Sequence, residues 1–313
     1  MPSFVPHTDE DIQNMLKFLG LKSLEELYDH VPQALMLNHE LNIHGMNSEF
    51  DVIDYLSRVG EYNKGNLICF AGYGSYDRLI PASTKQLSSR SEFVTAYTPY
   101  QPEVAQGILQ AIFEYQTFIT RLYGMDIANA SLYDGATSLV ESVNIATSSK
   151  ASKSVVISDG VFHNHRQVLE TFARGTQTKV ITVADESLTK GTIDFDDDIA
   201  AIIVQSPNRY GYLVDLDKIK AVAEKLNCLM IVSMDPIAAA VLKSPGEAGA
   251  DIAFGEGQPL GMPLAFGGPY LGLFCLKQSV RPIHHKILGC ISSCMNPMDK
   301  RQDLLNTVDA SNG

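Results

Sequence analysis

The sequence predicts an α/β protein built on a mainly parallel β-sheet with helices on both faces. Short runs rich in apolar residues recur from residue 139 onward, with helix-like segments between most of them. Strands that are apolar on both faces and alternate with helices are typical of a covered parallel sheet. A loop rich in glycine and proline then leads to a last run. The predicted strands are residues 154–158, 179–183, 201–205, 229–233, 251–254 and 271–276.

The N-terminal part of the chain is predicted to form a helical arm without a core of its own. Thr8 and Asp11 fit a capping box. In this motif a hydroxyl caps the first turn, and an acid three residues later accepts a hydrogen bond from the backbone N–H of the capping residue. Ser23 and Glu26 repeat this pattern. Gly20 is a typical stop for the first segment. The two boxes therefore predict two successive helices.

Charge and hydropathy exclude several classes of partner. The chain has 24 basic and 36 acidic residues, a net charge of -12, and such a surface repels nucleic acid backbones. No apolar run approaches the roughly 20 residues that a membrane-spanning helix needs. The opening residues MPSFVPHTDEDIQ are acidic, unlike a secretory or transit peptide. We therefore expect a soluble, cytoplasmic protein that binds neither nucleic acid nor membrane.

A proline-stiffened loop with Tyr97 and Tyr100 leads into a long predicted helix, residues 102–124. Proline suits the first helical position, Glu103 complements the helix dipole, and a glycine ends the helix. Gly107, inside the helix, costs about 1 kcal/mol relative to alanine. Because the prolines fix the loop, the two tyrosines are candidates for the wall of a site.

Gly135, Ala136 and Thr137 form a small-residue turn at the mouth of a predicted helix. Backbone N–H groups at a helix start can hold an anion such as a phosphate, and glycine lets the anion approach closely. Ligands of parallel sheets gather at the carboxyl ends of the strands, where such turns lie. This turn is the candidate phosphate seat.

Three more strand-end side chains match the needs of a pyridoxal phosphate (PLP) ring. His163 is placed to stack on an aromatic ring, although His165 is an equally placed alternative. Asn208 is placed to bond the ring oxygen. Asp235 is placed to pair with the pyridinium nitrogen, although an aspartate at a strand end is as often a loop cap. The ordered set predicts descent from a PLP-binding protein.

The lysine of a PLP enzyme, which forms the internal Schiff base, is missing from its expected place. It should follow the strand at 251–254, and Pro259 stands there. Lys243 and Lys277 flank the region, but Lys243 lies on the wrong side of the strand and Lys277 beyond the loop. The site is thus built for PLP without an amine to hold it covalently.

Five cysteines give no clear metal site. Cys290 and Cys294 lie four residues apart, a spacing compatible with a metal pair. No histidine or carboxylate stands at ligand spacing beside them. We therefore expect no metal.

Several motifs together resemble the glycine cleavage system P-protein family, glycine dehydrogenase (decarboxylating), and specifically subunit 1 of its two-subunit form. The likeness covers residues 3 to about 289, and its first block is highly specific. The matching segments are Tyr97-Thr-Pro-Tyr-Gln-Pro-Glu-Val, Gln106-Gly, Phe113-Glu-Tyr-Gln-Thr, Ile127-Ala-Asn-Ala-Ser, Tyr133-Asp-Gly-Ala-Thr, Val204-Gln-Ser-Pro-Asn, Ala250-Asp-Ile-Ala, Gly257-Gln and Ala265-Phe-Gly-Gly-Pro-Tyr.

The resemblance implies the large domain of a fold type I PLP-dependent transferase, with a mainly parallel sheet of the seven-stranded type. It implies an oxidoreductase acting on CH-NH2 donors, assembled as an α2β2 heterotetramer. The partner, subunit 2, would bind PLP and supply its lysine. The assembly would decarboxylate glycine and pass the aminomethyl group to the lipoyl arm of H-protein.

The resemblance also assigns roles to particular residues. Tyr97, Tyr100 and Gln101 would lie at the partner's active site or at the entrance for H-protein. Tyr76 and Asp77 match a neighbouring family loop. The candidate cofactor residues would be a relic pocket that serves mainly for shape. The relic pocket comprises Gly135, Ala136, Thr137, His163, Asn208 and Asp235.

These observations predict three segments: a helical arm and connecting loop over 1–90, the α/β domain over 91–277, and a divergent tail over 278–313. Family members continue into a second domain, whereas residues 290–313 depart from the family pattern, and 306–313 are expected to be disordered. The alternative function is therefore a truncated, non-catalytic pseudoenzyme that acts only as a binding partner.

Overall fold

A computed structural model describes residues 7–43, 48–63, 74–94, 101–150, 152–191, 198–280, 291–295 and 302–306, together with residues 45, 65, 67, 68, 70, 71 and 195. The chain divides into two compact units, Met1–Ile68 and Cys69–Gly313. None of the helices within these described ranges is both long enough and apolar enough to cross a membrane.

The described residues of the first unit form two α-helices, α1 (Asp9–Leu19) and α2 (Glu49–Gly60). The capping box predicted for α1 is confirmed. The Asp11 N–H donates to Oγ1 of Thr8 at 3.2 Å, and the Thr8 N–H donates to Oδ2 of Asp11 at 2.9 Å. Gly20 ends the helix with a φ of +74°, in the left-handed region that favours glycine.

The second predicted capping box is wrong. Ser23 caps no α-helix, and the segment forms a 3-10 turn over Glu25–Tyr28. Glu26 instead accepts a hydrogen bond from the Lys22 N–H at 3.0 Å, one residue before the expected cap. The run before Pro32 is too short for an α-helix to gain much from propagation after its costly first turn.

The second unit is built on the predicted sheet. Among the described residues, this sheet has seven strands in the order β1-β7-β6-β5-β4-β2-β3. The five strands β2 to β6 run parallel, β7 is antiparallel to β6, and β1 is antiparallel to β7. This confirms the mainly parallel sheet. The strands are β1 (Ile127–Ala128), β2 (Ser154–Ser158), β3 (Lys179–Val183), β4 (Ile199–Gln205), β5 (Leu229–Ser233), β6 (Ile252–Glu256) and β7 (Gly272–Leu276).

Helices follow or precede the strands as the sequence pattern predicts. The predicted helix at 102–124 begins as a 3-10 turn, Pro102–Val104, before α5. The helices of this unit are α3 (Ala82–Ser88), α4 (Ser91–Val94), α5 (Gln106–Tyr123), α6 (Gly135–Lys150), α7 (His163–Thr176), α8 (Asp185–Lys190), α9 (Leu216–Lys225) and α10 (Pro236–Ala239).

Two apolar clusters form the core, one on each face of the sheet. Alternate residues of a strand enter different clusters because successive side chains point to opposite faces. In β2, Val156 packs in the cluster of Tyr123 from α5. Its neighbour Val155 packs in the cluster of Leu139 from α6. The sheet is therefore covered on both faces, as predicted.

The C-terminal tail contains one antiparallel pair of strands, β8 (Ile291–Met295) and β9 (Gln302–Asn306). We expected disorder over residues 306–313, but Asn306 is the last residue of β9. Residues 307–313 lie outside the described residues, as do 281–290. Within the described residues, no group of three His, Cys, Asp or Glu side chains is arranged to hold a metal ion.

Candidate functional site

A cavity of about 320 Å³ lies at the carboxyl ends of the central strands. This is the position at which ligands bind to parallel sheets. Its walls come from the segment before α3, the start of α7, and the ends of β4, β5 and β6. The polar side chains of the lining are Tyr76, Arg78, His165, Gln205, Asn208, Arg209, Ser233, Asp235 and Glu256.

The predicted phosphate seat does lie at the start of α6. Gly135 and Ala136 are buried and begin the helix, and Thr137 lies in its first turn. The Thr137 N–H donates to Oδ1 of Asp134 at 2.7 Å, and Oγ1 of Thr137 accepts from the Asp134 N–H at 3.0 Å. The Gly135 N–H donates to Oε2 of Glu256 at 3.0 Å. Two carboxylates therefore already occupy this helix terminus.

Glu256, the last residue of β6, links three segments through its carboxylate. Its Oε2 accepts from Gly135, and its Oε1 accepts from the N–H groups of Gln258 at 3.0 Å and Leu271 at 2.9 Å. Burial raises the pKa of Glu256, and the backbone hydrogen bonds offset that effect only in part. The side chain holds the start of α6, the turn after β6 and the entry to β7 together.

His165 is the histidine that faces the cavity, whereas His163 is exposed at the first position of α7. The His165 ring is 7% exposed and meets Phe162 edge-on, with ring centroids 5.6 Å apart. Burial lowers the pKa of His165 to about 4, so the ring is neutral near pH 7. A Cβ at Gly135 would approach Cε1 of His165 to 3.0 Å, which explains the glycine there.

The Asn208 side chain bonds to protein groups through both its nitrogen and its oxygen. Its Nδ2 donates to Oδ2 of Asp185 at 2.8 Å. Its Oδ1 accepts from the N–H groups of Tyr210 and Tyr212, both at 3.0 Å. Ser158 bonds the other oxygen of Asp185, so the ends of β2 and β4 are joined. These bonds hold the loop after β4 in place.

Asp235 caps α10. Its Oδ1 accepts from the N–H groups of Ile237 at 2.8 Å and Ala238 at 3.1 Å. Its second oxygen faces Arg78, with 3.7 Å between Oδ2 and Nη2. The loop-cap alternative raised from the sequence is therefore the arrangement that these contacts support.

Among the described residues that line the cavity there is no lysine. Pro259 is buried in a 3-10 turn, Gln258–Leu260, directly after β6. Nζ of Lys243 is exposed and pairs with Asp217 at 2.6 Å. Lys277 follows β7, which is antiparallel to β6 and pairs Leu276 with Ile252. Lys277 therefore lies at the edge of the sheet away from the cavity.

Of the three residues predicted in the tyrosine loop, the structure describes only Gln101. Tyr97 and Tyr100 lie outside the described residues. Gln101 is exposed just before α5, and its carbonyl accepts from the Val104 N–H at 3.2 Å. The role of these three residues stays a prediction.

Comparison with known proteins decides the family. The model of the family described as "Glycine cleavage system P-protein" matches residues 2–296, which include every strand of the seven-stranded sheet. The chain belongs to this family. The resemblance read from the tyrosine loop and the strand-end motifs is thus confirmed, and the match continues seven residues beyond the predicted limit of 289.

P-protein relatives from two bacteria are named probable glycine dehydrogenase (decarboxylating) subunit 1. The one from Desulforamulus reducens is 42% identical over 293 residues, covering 91% of this chain and 66% of the relative. The one from Prosthecochloris aestuarii is 45% identical over 297 residues, with the same coverage. This chain therefore spans slightly less than two thirds of the length of these relatives.

A solved P-protein structure has the same fold. It is a crystal structure of glycine decarboxylase (P-protein) of the glycine cleavage system in an inhibitor-bound form. It matches with a TM-score of 0.78 at 37% identity, covering 99% of this chain and 70% of that one. The likeness extends across the sheet and the cavity described above.

The cavity of this P-protein chain does not fit PLP. The helix start suited to the phosphate already holds two carboxylates, Asp134 and Glu256. The two groups suited to the ring, Asn208 and Asp235, are engaged by backbone and side-chain partners. No lysine lines the described cavity. The groups that would hold the cofactor are therefore already bonded to other parts of this chain.

Glu256 and Arg78 are two charged cavity residues that the sequence analysis did not identify. Glu256 sits in the segment Gly255-Glu-Gly257, directly after the apolar run of β6. An acid at that strand end, at the same sheet edge as Gly135, was the available signal. Arg78 carried no such signal, because it precedes α3 and reaches the cavity only through the tertiary fold.

Proposed function

We propose that this chain is a subunit of glycine decarboxylase in the glycine cleavage system. The assembly carries out PLP-dependent decarboxylation of glycine and transfers the aminomethyl group to the lipoyl arm of H-protein. The observation that carries the proposal is the membership of the P-protein family over residues 2–296. The relatives named subunit 1 support a two-subunit organisation, which we take to be an α2β2 heterotetramer.

The lining of this chain's cavity supports assigning the cofactor to the partner subunit. PLP chemistry needs a lysine amine for the internal Schiff base. The described lining has none, and the seat for the phosphate is filled by Glu256. We therefore assign PLP and its lysine to the partner, subunit 2.

This chain's own contribution is to complete the partner's site. The sequence predicts a loop that carries Tyr97, Tyr100 and Gln101 and is stiffened by Pro99 and Pro102, ahead of α5. Fixed loops that present aromatic hydroxyls orient a substrate at low entropic cost. In the proposal, these residues line the partner's active site or the entrance for the lipoyl arm.

The test is glycine–bicarbonate exchange with H-protein, measured on this chain mixed with subunit 2 of the Desulforamulus reducens enzyme. The matched control is the same subunit 2 with its own subunit 1. We expect exchange from both mixtures and none from this chain or subunit 2 alone. Exchange in the control with none from this chain, although the two proteins co-purify, would refute the proposed activity.

A second measurement addresses the tyrosine loop. Tyr100→Phe keeps the ring and removes the hydroxyl, and Tyr62→Phe does the same at an exposed tyrosine in the other unit. We expect Tyr100→Phe to lower exchange at least tenfold and Tyr62→Phe to leave it unchanged. Equal activity of the two variants would remove Tyr100 from the site.

A further inference from the structure

The start of α6 lies next to this cavity, and Glu256 of the cavity lining accepts a hydrogen bond from its first N–H group. The helix has 16 residues, and the N-terminus of such a helix carries partial positive charge and free N–H groups. The assignment of this terminus as a former phosphate seat depends on the proposed descent from a PLP enzyme. The contacts of Glu256 do not depend on that assignment.

The backbone on both sides of Glu256 is held tightly. A Cβ at Gly255 would lie 2.4 Å from both the Met234 carbonyl oxygen and Oη of Tyr123. A Cβ at Gly257 would lie 2.9 Å from the side chain of Leu271. Both neighbours are glycines because a side chain there would clash, so the backbone packs closely on either side of Glu256. The carboxylate itself is held at the helix start by its three hydrogen bonds.

The three hydrogen bonds of Glu256 resemble those that a bound phosphate would accept. All three donors are backbone N–H groups, from Gly135, Gln258 and Leu271, at 2.9–3.0 Å. Asp134 adds a second carboxylate at the same terminus. A phosphate placed there would lose these donors and meet like charge.

We infer that Glu256 is an internal anion that replaces the cofactor phosphate and closes this chain's cavity to phosphorylated ligands. The same side chain positions the cavity walls by tying α6 to the segments after β6 and before β7. In this account, the chain lost cofactor binding through a gained carboxylate as well as through an absent lysine.

The experiment measures binding of inorganic phosphate, PLP and pyridoxal to the full chain, by equilibrium dialysis at constant ionic strength. Glu256→Ala removes both the charge and the bulk, whereas Glu256→Gln removes the charge alone. Glu247→Ala is the control, because Glu247 also accepts a backbone N–H, from Ser244 at 2.9 Å, but does not line the cavity.

Wild type and Glu247→Ala should show no saturable binding of phosphate or PLP. Glu256→Ala should bind both saturably, at least tenfold more tightly than the weakest affinity that the dialysis can detect, and pyridoxal, which lacks the phosphate, should show no such gain. Glu256→Gln should show a smaller gain in affinity for phosphate and PLP. If Glu256→Ala does not fold, Glu256→Gln alone provides the test.

Two results would overturn the inference. One is saturable binding of PLP to the wild-type cavity. The other is phosphate binding by both Glu256 variants that is no tighter than in wild type. Because no glycine assay is involved, either result is separate from failure of the proposed decarboxylase activity.

Discussion

Replacing His165 by glutamine should remove a pH-dependent loss of stability that we expect of the wild-type chain in mild acid. The ring is 7% exposed, and burial lowers its pKa from 6.5 to about 4. The unfolded chain therefore takes up a proton at a pH where the folded chain does not. Stability from this group is present above pH 6.5 and is lost as the pH falls from 6.5 towards 4.

The size of the effect follows from the two pKa values. At about pH 5 the unfolded state gains about 2 kcal/mol from protonation that the folded state cannot match. At about pH 4 the difference reaches about 3 kcal/mol. Such a loss is a large fraction of the stability of a typical domain, which is about 5–15 kcal/mol.

The assay is urea unfolding of wild type, His165→Gln and His163→Gln between about pH 7.5 and pH 5. His163 is the matched control because it is exposed on the same helix, two residues earlier. Between pH 7.5 and pH 5, the free energy of unfolding of wild type should fall by about 2 kcal/mol more than that of His165→Gln. A difference between wild type and His165→Gln that stays constant with pH, or an equally small fall for His163→Gln, would refute the reasoning.

Three further predictions concern backbone positions and caps. Gly255→Ala should cost about 1–3 kcal/mol or abolish soluble expression, because the new Cβ would lie 2.4 Å from Oη of Tyr123; a neutral effect in urea unfolding would contradict the packing. Gly107→Ala, in an exposed helix turn with nothing within 4 Å of the new Cβ, should stabilise the chain by about 0.5–1 kcal/mol; a loss in thermal unfolding would show an unforeseen constraint. Thr8→Ala should cost about 1 kcal/mol of local stability in α1, measured by amide hydrogen exchange, whereas Ser23→Ala should cost nothing of the kind; equal effects would contradict the observed caps.

Strand positions were predictable because the buried strands carry a strong local signal. All seven residues of β4 are buried, and the first six, Ile199–Val204, form a continuous apolar run. β1 escaped prediction because its two residues, Ile127 and Ala128, are too few for a pattern. Its pairing with β7 is set by tertiary contacts 147 residues apart, from Ala128 to Cys275.

The site was predictable in its location more than in its contacts. A glycine at a helix mouth, such as Gly135, marks a place where another group approaches the backbone. The sequence does not say which group, and here it is the carboxylate of Glu256, 121 residues away. Likewise, the choice between His163 and His165 depends on which side of α7 faces the sheet. Buried Leu169 lies four residues after His165, on that side.

The most direct measurement of the central claim locates the amine that holds PLP. This chain and subunit 2 are incubated with PLP, separately and together, reduced with borohydride and mapped by mass spectrometry. We predict one equivalent of pyridoxyl group on a lysine of subunit 2, and only scattered, substoichiometric labelling of exposed lysines in this chain. One equivalent on a single lysine of this chain, Lys243 or Lys277 included, would contradict the account.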